Sequence, residues 1–203
     1  MQFYHDIITQ KSFLYLQGLK KRHDFILIGG WAVFLYTRSL KSKDIDIIVD
    51  YNELAKMKEE HNVFKNERLK KYEIKTGEFD IDIYLDHYFR LGIDIAEIKK
   101  NTQNKDGFNA PWPEILLLLK LFAWENRRGS AKGQKDELDI FSLVALPEFD
   151  WEEMASFARQ FKFQKYSLEF KLLLKKTARV KELGLNEQQF SKLKKKILPK
   201  LDF

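Results

Sequence analysis

Two segments of this chain place aspartates where a strand would normally exclude them. Asp44-Ile45-Asp46-Ile47-Ile48-Val49-Asp50 alternates acidic and aliphatic residues, and Phe79-Asp80-Ile81-Asp82-Ile83-Tyr84-Leu85-Asp86 repeats the pattern. Alternation with a period of two marks a half-buried strand, with successive side chains on opposite faces. In the first segment Ile45, Ile47 and Val49 share one face, and Asp44, Asp46 and Ile48 the other. In the second, Phe79, Ile81, Ile83 and Leu85 oppose Asp80, Asp82, Tyr84 and Asp86. Asp is disfavoured within strands, and like charges side by side on a sheet repel. Such a face needs open water with Lys41, Lys43 and Lys75 as counterions, or it needs a bound cation. Its recurrence on two strands favours the cation. Carboxylates without His or Cys partners suit a hard ion, Mg²⁺ or Mn²⁺.

A glycine pair lies just upstream. Phe25-Ile26-Leu27-Ile28 reads as a short buried strand, Gly29-Gly30 breaks it, and Trp31 to Tyr36 continues as a helix. A strand–Gly-Gly–helix junction lets backbone amides approach a phosphate at a helix N-terminus. Phosphate-binding amides beside a divalent-metal carboxylate cluster are what phosphoryl and nucleotidyl transfer require.

The remaining pattern sets the fold class. A helix to about Lys21 is expected to bury Phe3, Ile7, Ile8, Phe13 and Leu14, and Asn52 to Glu60 forms another. Tyr72–Lys75 and Glu78–Leu85 flank Thr76-Gly77 at hairpin spacing. Beyond residue 86 the chain reads as mostly helical: Pro113 to about Arg128, Lys135–Val144 after a loop bounded by Gly129 and Gly133, Trp151–Phe161, Tyr166–Glu182 and Asn186–Ile197. Strands first and helices after argue an α+β fold, a small mixed sheet flanked by helices. The expected organisation is a core over residues 1–145 and a basic helical part over 146–203. Phe161, Phe163, Tyr166 and Phe170 read as helical core.

Composition excludes several classes. The 203 residues contain no Cys, which rules out disulfides, thiolate zinc sites and cysteine nucleophiles. The opening Met1–Gln10 carries Tyr4, His5 and Asp6 where a secretory signal has an apolar run. No apolar run approaches a membrane span. The expectation is a cytoplasmic protein without a membrane partner. The net charge is +6, yet residues 161–203 hold 12 Lys or Arg against 4 Asp or Glu. A slightly acidic body with a basic end suggests an acidic site and a surface facing a polyanion, with Lys192, Lys194, Lys195 and Lys196 as its centre. The four His, at 5, 23, 61 and 87, show no metal-ligand spacing along the chain.

Ile28-Gly29-Gly30-Trp31-Ala32 followed by Asp44-Ile45-Asp46-Ile47-Ile48, with Phe79-Asp80-Ile81-Asp82-Ile83-Tyr84 downstream, resembles the signature of the polymerase-β-type nucleotidyltransferase superfamily. Arg38 with Ser42-Lys43-Asp44-Ile45-Asp46 is similar to the branch of abortive-infection toxin and uncharacterised prokaryotic nucleotidyltransferases. Glu114, Leu118-Leu119-Lys120-Leu121, Ala123, Arg127, Lys135-Asp136 and Asp139-Ile140 extend that resemblance, which spans about residues 25–145. The superfamily more often has Gly-Ser at the turn; with Gly-Gly, backbone amides carry the phosphate contact.

The resemblance implies transfer of NMP from an NTP to an acceptor hydroxyl on tRNA, a protein or a small molecule. Asp44 and Asp46 would hold Mg²⁺ against the triphosphate of ATP or another NTP. Asp82, with Asp80 as the alternative, would complete the metal set and accept the hydroxyl proton. Gly29, Gly30, Arg38, Ser42, Lys43 and Lys120 would contact the nucleotide. Arg127 and Arg128 end the Lys120 helix and complement its dipole. Lys135-Asp136 would pair with each other or with the strand carboxylates. A toxin role would bring an antitoxin protein as partner. Two other readings stand beside this one. One is a non-catalytic nucleotide- or partner-binding protein of the same fold. The other is a metal-dependent nuclease, in which Glu73-Ile74-Lys75 downstream of Asp46 mimics an acid-x-Lys strand.

Overall fold

The computed structural model describes residues 6–201, so Phe3 and His5 lie outside it. The chain is an α+β protein that divides into two compact units, residues 1–112 and 113–203. Among the described residues the first unit carries every strand. Its elements are α1 (Asp6–Lys20), β1 (Ile26–Ile28), α2 (Gly29–Thr37), β2 (Ile45–Ile48), α3 (Tyr51–Glu60), β3 (Val63–Asn66), β4 (Lys71–Lys75), β5 (Asp80–Tyr84), α4 (Ile95–Lys100), β6 (Thr102–Lys105) and β7 (Phe108–Pro111). The strands form one sheet in the order β3-β4-β5-β2-β1-β7-β6. The β2–β5 and β1–β7 pairs are parallel and the others antiparallel.

The central strands form as their alternation dictates. Ile45, Ile47, Ile81 and Ile83 are fully buried, and so is Leu27 of β1. Between β4 and β5, the Thr76 hydroxyl donates to the Phe79 carbonyl at 2.6 Å, and Gly77 takes the left-handed φ of +90°. Residues Asp106-Gly107 turn the β6–β7 hairpin with φ values of +51° and +82°. Asp-Gly between two extended runs is the sequence signal for a two-residue turn of this kind. The expectation of a mostly helical chain after residue 86 overlooked it, together with α4, β6 and β7.

Helix α1 buries a different face from the one expected. Ile7 and Leu14 are each 60% exposed, and the packed side is Thr9, Ser12, Leu16 and Leu19. Those four recur at helical spacing, and the apparent stripe was disguised by polar members. Ser12 belongs inside because its Oγ accepts from the Trp31 indole at 3.0 Å.

The second unit is helical: α5 (Pro113–Asn126), α6 (Ala131–Val144), α7 (Trp151–Gln160), α8 (Gln164–Lys176) and α9 (Glu187–Ile197). It begins at Pro113. Ser130 caps α6 by accepting from the Gly133 amide, so the expected Gly129–Gly133 loop is half helix. Helix α8 ends at Lys176, short of Glu182, and a single 3₁₀ turn follows at Lys181–Leu183. Phe163, Tyr166 and Phe170 are buried as helical core, and Phe161 stacks on Phe157 at 5.8 Å. Among the described residues no helix is long and apolar enough to cross a membrane.

Ile83→Ala, which opens a cavity under the sheet at a fully buried position, is expected to lower unfolding free energy by about 2–5 kcal/mol. Urea unfolding of the two proteins measures the difference.

Candidate active site

The sheet register gathers the acidic residues. Asp46 of β2 stands opposite Ile28 of β1 on one side and Asp82 of β5 on the other. Asp82 in turn stands opposite Glu73 of β4. One row across the sheet therefore reads Ile28, Asp46, Asp82, Glu73. Asp44 precedes the first residue of β2, and its Oδ1 accepts a hydrogen bond from the Asp80 amide at 3.2 Å. Asp80 shares the face of Asp82 and is tied to Asp44 through its backbone amide.

Gly29 closes the row at its β1 end. It has φ of +68°, and a Cβ built there would lie 2.1 Å from Asp46 Oδ2 and 2.7 Å from its Cγ. Only glycine fits, for backbone and for space. Helix α2 begins at this residue, and Ile28 at its N-cap offers no side-chain hydrogen bond. The first turn of the helix, with Gly30 buried in it, is thereby placed beside the Asp46 carboxylate. The start of a helix and one carboxylate, that of Asp46, are thus in contact.

Lys71 answers the repulsion within the row. Its Nζ lies 2.5 Å from Asp82 Oδ2 and 3.0 Å from Glu73 Oε1. Burial pulls the Lys71 ammonium down, but Asp82 and then Glu73 outweigh it and the pKa is raised. Burial likewise pushes Glu73 up, yet its bond to Lys71 leaves it below the ordinary carboxylate range. Neither Lys71 nor Glu73 was named for the site from sequence, except that Glu73 entered the nuclease tripeptide. The signal lay in the period-two pattern: Lys71 and Glu73 share one face of β4. Lys75, the third member of that face, reaches Glu73 only at 3.8 Å and is exposed. Asp82 is turned to Lys71 and Asp44 to the Asp80 amide. The carboxylates of the row consequently do not bring three oxygens within 4.8 Å of one another.

The other expected contacts are distributed around this row. Ser42 is buried and donates to the Asp44 carbonyl at 3.1 Å, which fixes the approach to β2. Lys43 is partly exposed on the same approach. Arg38 ends α2 in a left-handed conformation, pairs with Asp106 of the β6–β7 turn and lies over the Phe34 ring at 5.7 Å.

Within the second unit, Lys120 is buried in a charge network. Its Nζ lies 2.7 Å from Asp139 Oδ2 and 3.2 Å from Asp136 Oδ1. Burial lowers its pKa, but the two carboxylates more than reverse that and hold it charged. Arg127 reaches Asp136 through Nε at 2.5 Å and a second guanidinium nitrogen at 2.8 Å. The fork geometry suits a carboxylate, so Arg127 serves Asp136 as well as the helix end. Lys135 pairs with Asp139 at 3.2 Å, not with the adjacent Asp136. Arg128 lies over Trp124 at 4.2 Å and bonds Glu169 at 2.7 Å. Glu114 accepts from the Asp150 amide at 2.9 Å, and burial raises its pKa.

On the basic helix α9, Lys194 donates to the Thr177 carbonyl at 2.8 Å, while Lys192, Lys195 and Lys196 are exposed. That helix starts with Asn186 and Gln189 in a reciprocal capping box.

No protein-family model matches the sequence, and no curated protein does. Solved structures do. JHP933 from Helicobacter pylori aligns over 96% of this chain and 93% of its own, with 17% identity and a TM-score of 0.51. A candidate nucleotidyltransferase from H. pylori aligns over 97% and 96%, with 17% identity and a TM-score of 0.53. The chain therefore has a nucleotidyltransferase-like fold along almost its whole length.

Lys71→Met removes the ammonium that pairs with Asp82. Breaking a pair this buried is expected to cost about 3 kcal/mol. Mn²⁺ is expected to restore part of that loss in the variant, because a cation on the row replaces the ammonium. Thermal unfolding with and without Mn²⁺ measures both effects.

Proposed function

We propose that this chain is a metal-dependent nucleotidyltransferase that moves NMP from an NTP to an acceptor hydroxyl. The observation that carries the reading is the contact of Gly29, at the start of α2, with Asp46, itself in register with Asp82. In this reading the amides that face phosphate lie beside the carboxylates that hold the metal. The shared fold of a candidate nucleotidyltransferase supports it.

In this reading Asp44, Asp46 and Asp82 hold Mg²⁺ or Mn²⁺. The ion supplies charge neutralisation for the triphosphate and the leaving pyrophosphate. The amides of Gly29 and Gly30 bind phosphate oxygens, and Ser42 and Lys43 hold the loop that delivers Asp44. The acceptor oxygen attacks the α-phosphorus, the bond to the β-phosphate bridging oxygen breaks, and pyrophosphate leaves. Asp82, released by Lys71, takes the hydroxyl proton. Arg38 is proposed as a further nucleotide contact, from the resemblance alone. The exposed lysines of α9 favour a polyanionic acceptor such as tRNA. A toxin held by an antitoxin protein is the biological role proposed for such an activity.

A non-catalytic nucleotide-binding protein of the same fold is the second reading. The ion pair of Lys71 with Asp82 favours it, because that pair already neutralises one carboxylate of the row.

Incubation with each α-³²P-labelled NTP, Mg²⁺ and total tRNA, beside a no-RNA control, tests the proposal. Label is expected on RNA or protein, and Asp44→Ala/Asp46→Ala is expected to abolish it while the fold survives. Undiminished transfer by the double variant would overturn the assignment. Nucleotide binding without transfer to any acceptor would favour the second reading. Cleavage of a labelled oligonucleotide with Mg²⁺ alone would favour a nuclease.

A further inference from the structure

We propose that His23, His61 and Glu60 form a second metal site, for Zn²⁺ or a similar transition metal, independent of the carboxylate row. His23 precedes β1, at the end opposite Gly29, and Glu60 and His61 stand where α3 ends. Among the described residues, this is the one group whose three ligand atoms all lie within 4.8 Å of one another.

His23 is built like a metal ligand. Its side chain is fully buried, and Nδ1 lies 2.7 Å from Glu53 Oε1. Glu53 is itself buried, anchored by Lys56 at 3.0 Å, and held below the ordinary carboxylate range although burial pushes it up. A carboxylate that accepts Nδ1–H fixes the imidazole with the Nε2 lone pair outward, the arrangement of most metal-bound histidines. Here Nε2 is buried, has no hydrogen-bond partner, and points to Glu60 Oε2 at 3.4 Å. In that tautomer two acceptors face each other with no proton between them. His61 repeats the situation. Its Nε2 is buried without a hydrogen-bond partner, 3.9 Å from the same Glu60 oxygen. One carboxylate oxygen thus stands between two imidazole nitrogens.

The His23–Glu60 spacing suits a small ion. Bonds of 2.0–2.1 Å in a tetrahedron put ligand atoms about 3.4 Å apart, close to the His23–Glu60 separation. The His61 ring has to close by a fraction of an ångström toward Glu60. Two imidazoles and a carboxylate, with a fourth position for water, are a borderline-soft set that selects Zn²⁺ over Mg²⁺. Arg22 pairs with Glu60, and its side chain is 46% exposed. It can swing into solvent when an ion takes its place. A bound ion would staple the α1–β1 connection to the end of α3. The spacing of the histidines along the chain gave no hint of this, because the two are 38 positions apart.

The test uses the full chain, freed of metal by a chelator and titrated with Co²⁺ as a spectroscopic probe. One equivalent is expected to give the visible bands of tetrahedral Co²⁺, and Zn²⁺ is expected to displace it. His61→Ala and Glu60→Gln should each abolish the bands, and Glu53→Gln should weaken binding roughly tenfold through the second shell. Asp44→Ala/Asp46→Ala should leave them unchanged. Zn²⁺ should raise the melting temperature of the parent protein and not that of Glu60→Gln, whose metal-free melting shows that it folds. Absence of tetrahedral bands in the parent protein, or their survival in both His61→Ala and Glu60→Gln, would overturn the proposal. So would their loss in the Asp44/Asp46 variant, which would place the ion on the carboxylate row.

Discussion

Negative charge crowded onto one row of the sheet organises the first unit. Asp46, Asp82 and Glu73 come from three adjacent strands and stand side by side. Without a counter-charge the row would oppose the β2–β5 and β4–β5 pairings that create it. Lys71 supplies that charge from β4, reaching Asp82 and Glu73 together. The register is held on the other face by Ile45, Ile47, Ile81 and Ile83, all fully buried, so a slip of one residue would bury the carboxylates instead. The aliphatic face fixes where the acids stand, and the lysine makes their proximity tolerable. A divalent cation on the row would have to draw the carboxylates together and displace one ammonium.

Gly29 connects this row to the rest of the chemistry. The contact between its backbone and Asp46 brings the start of α2 against the carboxylates. A side chain at that position would separate the two halves of the site. In the second unit the same physical problem has a different solution. Asp136 and Asp139 are almost completely buried, and Lys120, Arg127 and Lys135 surround them. Burial raises Asp136, but Lys120 and Arg127 more than offset it and the carboxyl stays below its ordinary range. Such a network specifies how α5 meets α6, and it accounts for a lysine inside the apolar run Ile115–Phe122.

Period-two alternation made β2, β5 and their acidic faces legible, and the glycine pair marked the β1–α2 junction. The choice of Asp82 over Asp80 came only through resemblance, since the two share one face of β5; in the structure the Asp80 amide donates to Asp44 and the Asp82 carboxylate pairs with Lys71. The period-two pattern put Lys71 on the face of Glu73, but its pairing with Asp82 depends on the β4–β5 register, a contact made across a hairpin and not within a motif. The α1 face was misjudged because Ser12 is buried for its bond to Trp31. Asp106-Gly107 was a legible turn that the helical reading passed over. The His23–His61 pair lay beyond any local pattern, since the end of α1 and the end of α3 meet only in the folded unit.

The central claim is that the Asp44, Asp46 and Asp82 carboxylates form one cation site at the start of α2. Crystals grown with Mn²⁺ and a non-hydrolysable NTP analogue, with diffraction recorded on either side of the manganese edge, test it most directly. The account predicts an anomalous peak among those three carboxylates, with Lys71 displaced from Asp82 and phosphate oxygens on the Gly29 and Gly30 amides. Nucleotide and manganese bound elsewhere, with the Lys71–Asp82 pair intact, would contradict it.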